Sequence, residues 1–599
     1  MKYTHRTKFT LIFLLSFFLG TGNLNSEEVK KLKIKSINFE GNQVFTNSRL
    51  NRLMISRPSS FLKKSYYYLE ALNEDLKNIE LFYRQNGYLE AQIISYAVKV
   101  DSNKNEASIE IKVSEGELTR VEGVGILGNK VFPDSTLRQK TDIMPGDPFL
   151  SKKVEEANLS LLTFFAENGY IDASMKSDIR VNTETHRVLI DFNVDEKIQF
   201  EIDKIAFNGL QKTRPKVLMR ELNFKSGDVV NYSRLLESQR KIYLTGLFQS
   251  VFIRPQPASS GDSTKKDILI ELKENMSGEF NVALGFGSVE KIRGRMEIFN
   301  SNLRGSARKI GLATKLSFIQ RSVETSFTEP RMFGTNWQTD INLLRSYNEE
   351  PGFTINRIGG NVSLGRKILS RSNMTLIYRH ENVKISDIQV SEIPEDVKTN
   401  TRSLKFSVIY DTRDNLFNPN KGIYFEWSNE SGIFFANVNN IFLRSTGRIK
   451  YFYPISNSTV ICTALELGLI DAEGGLQGIP LHERFYTGGP NSIRGFEYEK
   501  LGPLDENRLP IGGRLKLVCN LIEIRQSIYK MFGGVIFSDI GNIWLKPEDF
   551  HLGDIRPVAG LGLRVNTPIG LARLDYGINL NKQKDEPGGK LYFSIGQAF

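Results

Sequence analysis

The hydrophobic rhythm of the chain changes near residue 278. Before it, short alternating runs are separated by segments with helical spacing. In LNEDLKNIELFYRQNG (Leu72–Gly87), Leu72, Leu76, Ile79, Leu81 and Phe82 gather on one side of a predicted helix, and Asn86-Gly87 ends it. After residue 278, apolar and polar positions alternate. EFNVALGF sets Phe280, Val282, Leu284 and Phe286 against Glu279, Asn281, Ala283 and Gly285; GIYFEW and ARLDYGINL repeat the pattern.

The first part repeats itself. FEGNQVF (Phe39–Phe45) returns as ILGNKVF (Ile126–Phe132) and more faintly as FNGLQKT (Phe207–Thr213). FYRQNGYLEA (Phe82–Ala91) returns as FFAENGYIDA (Phe164–Ala173), with an echo in YLTGLFQSV (Tyr243–Val251). Each unit closes on an alternating strand: ASIEIKVSEGE from Ala107, RVLIDFNVDEK from Arg187 and DILIELKEN from Asp267. The reading is three βααββ modules, over residues 30–117, 118–198 and 199–275. The exposed sheet edge of such a module offers an extended peptide a strand to pair with. Gly123 to Gly128 spells G-x-G-x-x-G, but within a strand segment rather than opening a helix, so it does not read as a nucleotide loop.

Residues 278–599 read as a transmembrane antiparallel β-barrel, with room for about sixteen strands of roughly ten residues. Tight turns at PNKG (Pro419–Gly422) and NTPIG (Asn566–Gly570) alternate with long connections at His380–Thr401, Asp471–Ile511 and Asn581–Gly589. The longest of these holds GGPNSIRGF (Gly488–Phe496). A barrel of this size is too wide for strand side chains to fill, so the loop is expected to fold inward. Ile493, Arg494, Gly495 and Phe496 form its motif, and the planar fork of Arg494 suits an inward carboxylate, with Asp539 and Asp575 as candidates.

The N-terminus has a basic start (Lys2, His5, Arg6, Lys8), an apolar run from Phe9 to Gly20 and small or polar residues after it. Residues 1–26 therefore read as a cleaved secretory signal. No later run of about 18 apolar residues exists, so a membrane is crossed by strands or not at all. The net charge of +11 suits a surface beside anionic lipid. Cys462 and Cys519 fall in strand-like runs; they read as small wall residues, with a single bridge left open. The five histidines are scattered, His482-Glu483 reads as loop, and neither H-E-x-x-H nor G-x-S-x-G occurs. The expectation is no catalytic residue, metal or cofactor, and no nucleic acid partner.

A secretory signal, three repeats like POTRA modules and a barrel loop carrying IRGF resemble the outer-membrane insertase superfamily that includes BamA and TamA. YDTRDNLFNPNKG (Tyr410–Gly422), FSDIGNIW (Phe537–Trp544), GLGLRVNTPIGLARLDYG (Gly560–Gly577) and a closing LYFSIGQAF ending at Phe599 carry the same resemblance. With three repeats the chain looks more like the TamA type than BamA, which usually carries more. The resemblance implies an outer-membrane assembly, insertion or translocation factor, with modules in the periplasm reaching a periplasmic or inner-membrane partner. Client outer-membrane proteins would be templated at the barrel seam. Arg494 would contact Asp539, and the seam would set Phe280, Val282 and Leu284 of the glycine-bearing first strand beside Phe593, Ile595 and Phe599. A BamA-type general insertase, a passive porin and a two-partner secretion transporter are the alternatives. One feature departs from simple alternation: in VIFSDIG, Val535 and Phe537 share the face of Asp539.

Overall fold

The computed structural model describes residues 32–59, 65–391, 397–416, 418–432, 441–568, 570–584 and 586–596. The secretory signal expected over residues 1–26 and the seam residue Phe599 lie outside them. The first module runs β1 (Lys33–Glu40), α1 (Asn47–Leu53), α2 (Leu69–Gln85), β2 (Gln92–Asp101) and β3 (Glu106–Ser114). The second runs β4 (Arg120–Leu127), α3 (Asp134–Thr141), α4 (Ser151–Glu167), β5 (Ser174–Asn182) and β6 (Arg187–Asp195). The third runs β7 (Glu201–Asn208), α5 (Pro215–Met219), α6 (Tyr232–Leu244), β8 (Phe248–Pro257) and β9 (Lys265–Glu274). In every sheet the last strand lies between the other two.

The repeat is one of contacts as well as letters. Gly41, Gly128 and Gly209 all take positive φ, and a Cβ on each would meet a main-chain oxygen of the central strand at 2.2, 2.3 and 2.0 Å. At or just past the end of each central strand stands a glutamate whose carboxylate accepts main-chain N–H groups from the turn after that glycine. Glu115 takes Val44, Glu196 takes Lys130 and Val131, and Glu274 takes Gln211, Lys212 and Thr213. Leu72, Leu76, Ile79 and Tyr83 of α2 face the core, at the spacing of a helical stripe. Leu81, expected on that side, is exposed, because it falls off the stripe.

The barrel closes with sixteen strands: β10 (Gly278–Gly287), β11 (Lys291–Leu303), β12 (Arg308–Ser317), β13 (Gln320–Glu329), β14 (Gln338–Glu350), β15 (Phe353–Leu369), β16 (Ser372–Ser386) and β17 (Val397–Asp411), then β18 (Gly422–Gly432), β19 (Phe442–Pro454), β20 (Thr459–Ala472), β21 (Leu515–Tyr529), β22 (Phe532–Trp544), β23 (Arg556–Thr567), β24 (Gly570–Asn579) and β25 (Gly589–Gly596). Every neighbouring pair is antiparallel. No helix among the described residues is long and apolar enough to cross a membrane; on the first strand of the barrel Phe280, Val282 and Leu284 are exposed, the apolar-out pattern of a membrane barrel.

Two connections differ from the sequence expectation. His380 and Thr401 are strand residues, since β16 and β17 pair from Ser372↔Tyr410 to Ile385↔Val397. The polar outward residues Asn382, Lys384, Asn400 and Arg402 hid the alternation, because the apolar code ends before the strands do. The PNKG turn is the end of a longer connection, residues 412–421, in which Asp414 accepts the main-chain N–H groups of Asn420 and Lys421.

The first two modules form one compact unit, and the third module with the barrel forms another. Within the latter, Arg331 in the β13–β14 turn grips Glu221 of the third module with Nε and Nη2, at 3.2 and 2.6 Å. Asn302 donates to the hydroxyl of Thr213 at 2.8 Å, and the N–H of Arg214 donates to the carbonyl of Gly305 at 2.9 Å.

Candidate functional site

The connection between β20 and β21 folds into the barrel and buries its motif. Gly488 and Gly489 take positive φ, and a Cβ on Gly488 would sit 2.5 Å from the carbonyl oxygen of Glu497. This turn returns the chain so that Ile493 and Phe496 pack with Leu501, Val518, Val535, Phe537 and Val558. The inward apolar residues of VIFSDIG thereby find their reason: Val535 and Phe537 form the floor on which the loop sits. Gly495 lets the loop lie on β23, where a Cβ would meet both methyls of Val558 at 3.0 Å.

Arg494 is held from three sides. Its Nε and Nη2 donate to the two oxygens of Asp539, each at 2.8 Å, and its main-chain N–H donates to the same carboxylate at 3.2 Å. Nη1 donates to Glu523 at 2.5 Å, and the guanidinium lies 3.5 Å from the ring centroid of Phe537. Asn520 donates to Asp539 and to the carbonyl of Ser492, while Arg525 takes the second oxygen of Glu523. Asp539 is fully buried. A buried carboxylate pair sharing a forked cation is a strong, directional anchor, and removing the cation leaves uncompensated charge.

Of the two sequence candidates, Asp539 receives Arg494. Asp575 does not: it pairs with Arg564 across β23 and β24, at 2.6 and 3.2 Å. What β24 contributes to the loop is an absence of side chain. A Cβ on Gly577 would fall 1.5 Å from the main-chain oxygen of Arg494.

Sequence reasoning passed over Glu523, whose role needs the β21–β22 register, and Glu483. In the second case the polarity is reversed. Glu483, on the loop's short 3-10 turn Leu481–Glu483, accepts from Arg379 on β16 at 3.0 Å and Arg444 on β19 at 2.9 Å. Glu430 on β18 shares Arg379. The loop thus pins its arginine to one wall and its glutamate to another. The adjacent letters His482-Glu483 gave no sign of this, because wall partners some 40 to 100 residues away are invisible without the fold.

The loop also reaches the closing strand. Tyr592 on β25 donates its hydroxyl to the carbonyl of Phe496, and Lys590 donates to Glu497 at 2.7 Å. Beside them lies the seam. β10 pairs with β11 at ten positions, Gly278 to Gly287, and among the described residues with β25 at three: Gly285↔Gly596, Phe286↔Ile595 and Gly287↔Ser594. Ser288 adds its main-chain N–H to the carbonyl of Phe593 at 2.9 Å, and the rings of Phe286 and Phe593 approach to 6.0 Å. Phe280, Val282 and Leu284 lie on β10 outside this paired stretch, so among the described residues they have no partner strand on the seam side. Cys462 and Cys519 are both free thiols.

A model described as the Omp85 superfamily domain matches residues 302–599, and one described as the surface antigen variable number repeat matches 32–116, 119–197 and 200–275. The chain belongs to the Omp85 superfamily. It is an outer-membrane protein, with its barrel in the bilayer and its POTRA modules in the periplasm. The outer membrane protein assembly factor BamA of Nitratidesulfovibrio vulgaris is 25% identical, covering 96% of this chain and 74% of the relative. BamA of Neorickettsia risticii is 24% identical, covering 96% and 79%. The crystal structure of Haemophilus ducreyi BamA lacking POTRA domains 1–3 matches at 19% identity with a TM-score of 0.68, over 81% of this chain and 99% of that one. That likeness is one of fold.

Proposed function

We propose that this Omp85 protein assembles β-barrel proteins into the outer membrane, and that it does so as a BamA-type factor. The observation that carries the reading is the inward loop tied to the closing strand β25, which among the described residues meets β10 at three positions. Opening the β10–β25 pairing would bare N–H and C=O groups at membrane depth, which is costly unless another strand completes the edge. An incoming client strand offers that partner, adding to β10 through main-chain hydrogen bonds that require no particular sequence. The inward loop supports the same reading: held at Asp539, Glu523, Arg379 and Arg444, it occupies the lumen that a passive pore needs open, and its ties to Tyr592 and Lys590 couple its position to β25. The modules present edge strands β2, β5 and β8 through which a periplasmic partner or an unfolded client could be held.

The three-module count favours the TamA type as a second reading, whereas relatives named as BamA that align over 96% of the chain favour the first. Depletion in the native host, with quantification of outer-membrane barrel proteins, separates them. Broad loss of barrels with arrested growth is the BamA-type result. Viable cells that lose a few clients or show disturbed envelope lipid mark the TamA type, and unchanged barrels and lipid would overturn both.

A further inference from the structure

Beneath the tip of the inward loop the lumen keeps a cavity of about 460 Å³, in the size range of pockets that hold small ligands. Asn491, Ser492 and Arg494 of the loop form its ceiling. Its rim carries Asn420, Asn457 and Lys530, exposed residues of the connections after β17, β19 and β21. In an antiparallel barrel these connections share an end with those after β11 and β13, which touch the third module through Gly305 and Arg331. The cavity therefore faces the periplasm.

Positive charge in it exceeds negative. Lys450, Arg494, Arg525, Lys530, Arg564 and Arg573 line it, against Glu523 and Asp575. Both carboxylates are already taken, Glu523 by Arg494 and Arg525, and Asp575 by Arg564. Among the described residues, no carboxylate stands within ion-pair distance of Lys450, Lys530 or Arg573. The ammonium of Lys530 lies over the ring of Tyr529, and Arg573 donates to the hydroxyl of Ser594 at 3.2 Å. Arg564 and Arg573 are also paired positions of β23 and β24, and like charges directly opposite destabilise a sheet. Neither guanidinium can shed its proton, so the excess charge calls for an anion.

The rest of the lining says which anion. Lys450 on β19 and Arg573 on β24 stand on walls separated by four strands, so a ligand that satisfies both carries carboxylates spaced along its length. Asn418, Asn420, Asn457 and Asn566 offer amide donors and acceptors beside the cations, and Phe452, Val460 and Cys462 form an apolar strip. We infer that this cavity binds an acidic, extended peptide segment that enters from the periplasm. One carboxylate sits by Arg573 and Arg564 and another by Lys450 and Arg525, the asparagines hold the main chain, and an apolar side chain lies on Phe452. The site rests on the geometry of the lumen and the periplasmic placement of the modules, not on the assembly reading.

The test titrates the full-length protein in detergent with a rhodamine-labelled peptide of repeating Asp-Ser-Leu triplets, following fluorescence anisotropy, and repeats it with asparagine in place of every aspartate. The acidic peptide should bind at least about tenfold more tightly than the amide one, and K450Q/K530Q/R573Q should weaken it by about as much. R366Q, which removes an exposed arginine over the ring of Trp337 and outside the cavity, should bind it unchanged. Heat-modifiability on a gel confirms that each variant is folded. A photoreactive group on the peptide maps the site in the parent protein without any variant, and its adducts should fall in residues 457–464 and 523–534. Adducts confined to the POTRA modules, equal binding of the amide peptide, or undiminished binding by the triple variant would overturn the site. Displacement of the labelled peptide by inorganic phosphate as readily as by unlabelled peptide would reduce it to a free-anion site and overturn the peptide assignment. Client assembly is measured separately, so its loss with retained peptide binding strikes only the proposed function.

Discussion

Tyr592, on the strand that closes the barrel, donates its hydroxyl hydrogen to the main-chain oxygen of Phe496 in the inward loop. That bond joins the anchored loop of the lumen to the strand that closes the barrel. Phenylalanine at 592 keeps the ring and removes the donor, leaving a buried carbonyl without this partner at a cost of about 1 kcal/mol. With Lys590–Glu497 then the remaining tie, β25 should separate from β10 more often. Thiol labelling of a cysteine placed at Phe286 should be faster in Y592F than in its parent, in a background with Cys462 and Cys519 replaced by serine; an unchanged rate would uncouple the loop from the seam.

Replacing Arg494 by alanine strands Asp539 as a buried charge and leaves Glu523 to Arg525 alone, a loss of about 3–5 kcal/mol in the loop's attachment. Lysine restores the charge but not the two-pronged geometry, and should recover only part of it. In planar bilayers R494A should show larger and more frequent conductance steps than the parent, with R494K between them. Silent channels in R494A would contradict the anchoring role.

Of the described glycines, Gly577 leaves the least room for a Cβ. Alanine there places a methyl 1.5 Å from the oxygen of Arg494, so the loop or β24 must move. G577A should reproduce the conductance of R494A although it removes no charge, whereas alanine at Gly447, where a Cβ meets nothing within 4 Å, should leave conductance unchanged.

The sequence exposed the three modules and the barrel because both depend on periods, and periods survive in one dimension. It exposed Arg494 and Asp539 because glycines and a family motif mark them. Glu523, Glu483, Arg379 and Arg444 stayed hidden, since each is an ordinary charged residue in a strand or loop until register sets it opposite a partner. Asp575 shows the reverse error: an inward carboxylate on a neighbouring strand looked available, yet Arg564 lies nearer and takes it. The extent of β16 and β17 was misread because their outer ends exchange apolar for basic residues.

The third module carries an acid-sensitive turn. Burial alone would raise the pKa of Glu274, but main-chain N–H donors from Thr213, Gln211 and Lys212 outweigh it and hold the carboxylate below its ordinary value. A carboxylate depressed in the folded state stabilises fully above its unfolded pKa, about 4.3, and loses that contribution as pH falls through the lower folded value. Hydrogen exchange of the Gln211–Thr213 amides should therefore slow little between pH 8 and 6 beyond the chemical rate, and lose protection below about pH 4. In E274Q the protection should already be reduced at neutral pH and vary less with acid.

The opening of the seam is the claim on which the account stands, and locking it tests that claim most directly. Cysteines at Phe286 and Ile595, which face each other across β10 and β25, should oxidise to a disulfide in a chain whose Cys462 and Cys519 are serine. Assembly of an unfolded barrel client into liposomes, followed by its heat-modifiability, should stop in the oxidised protein and return on reduction. Full assembly by the oxidised protein, with the crosslink confirmed by mass spectrometry, would contradict the account.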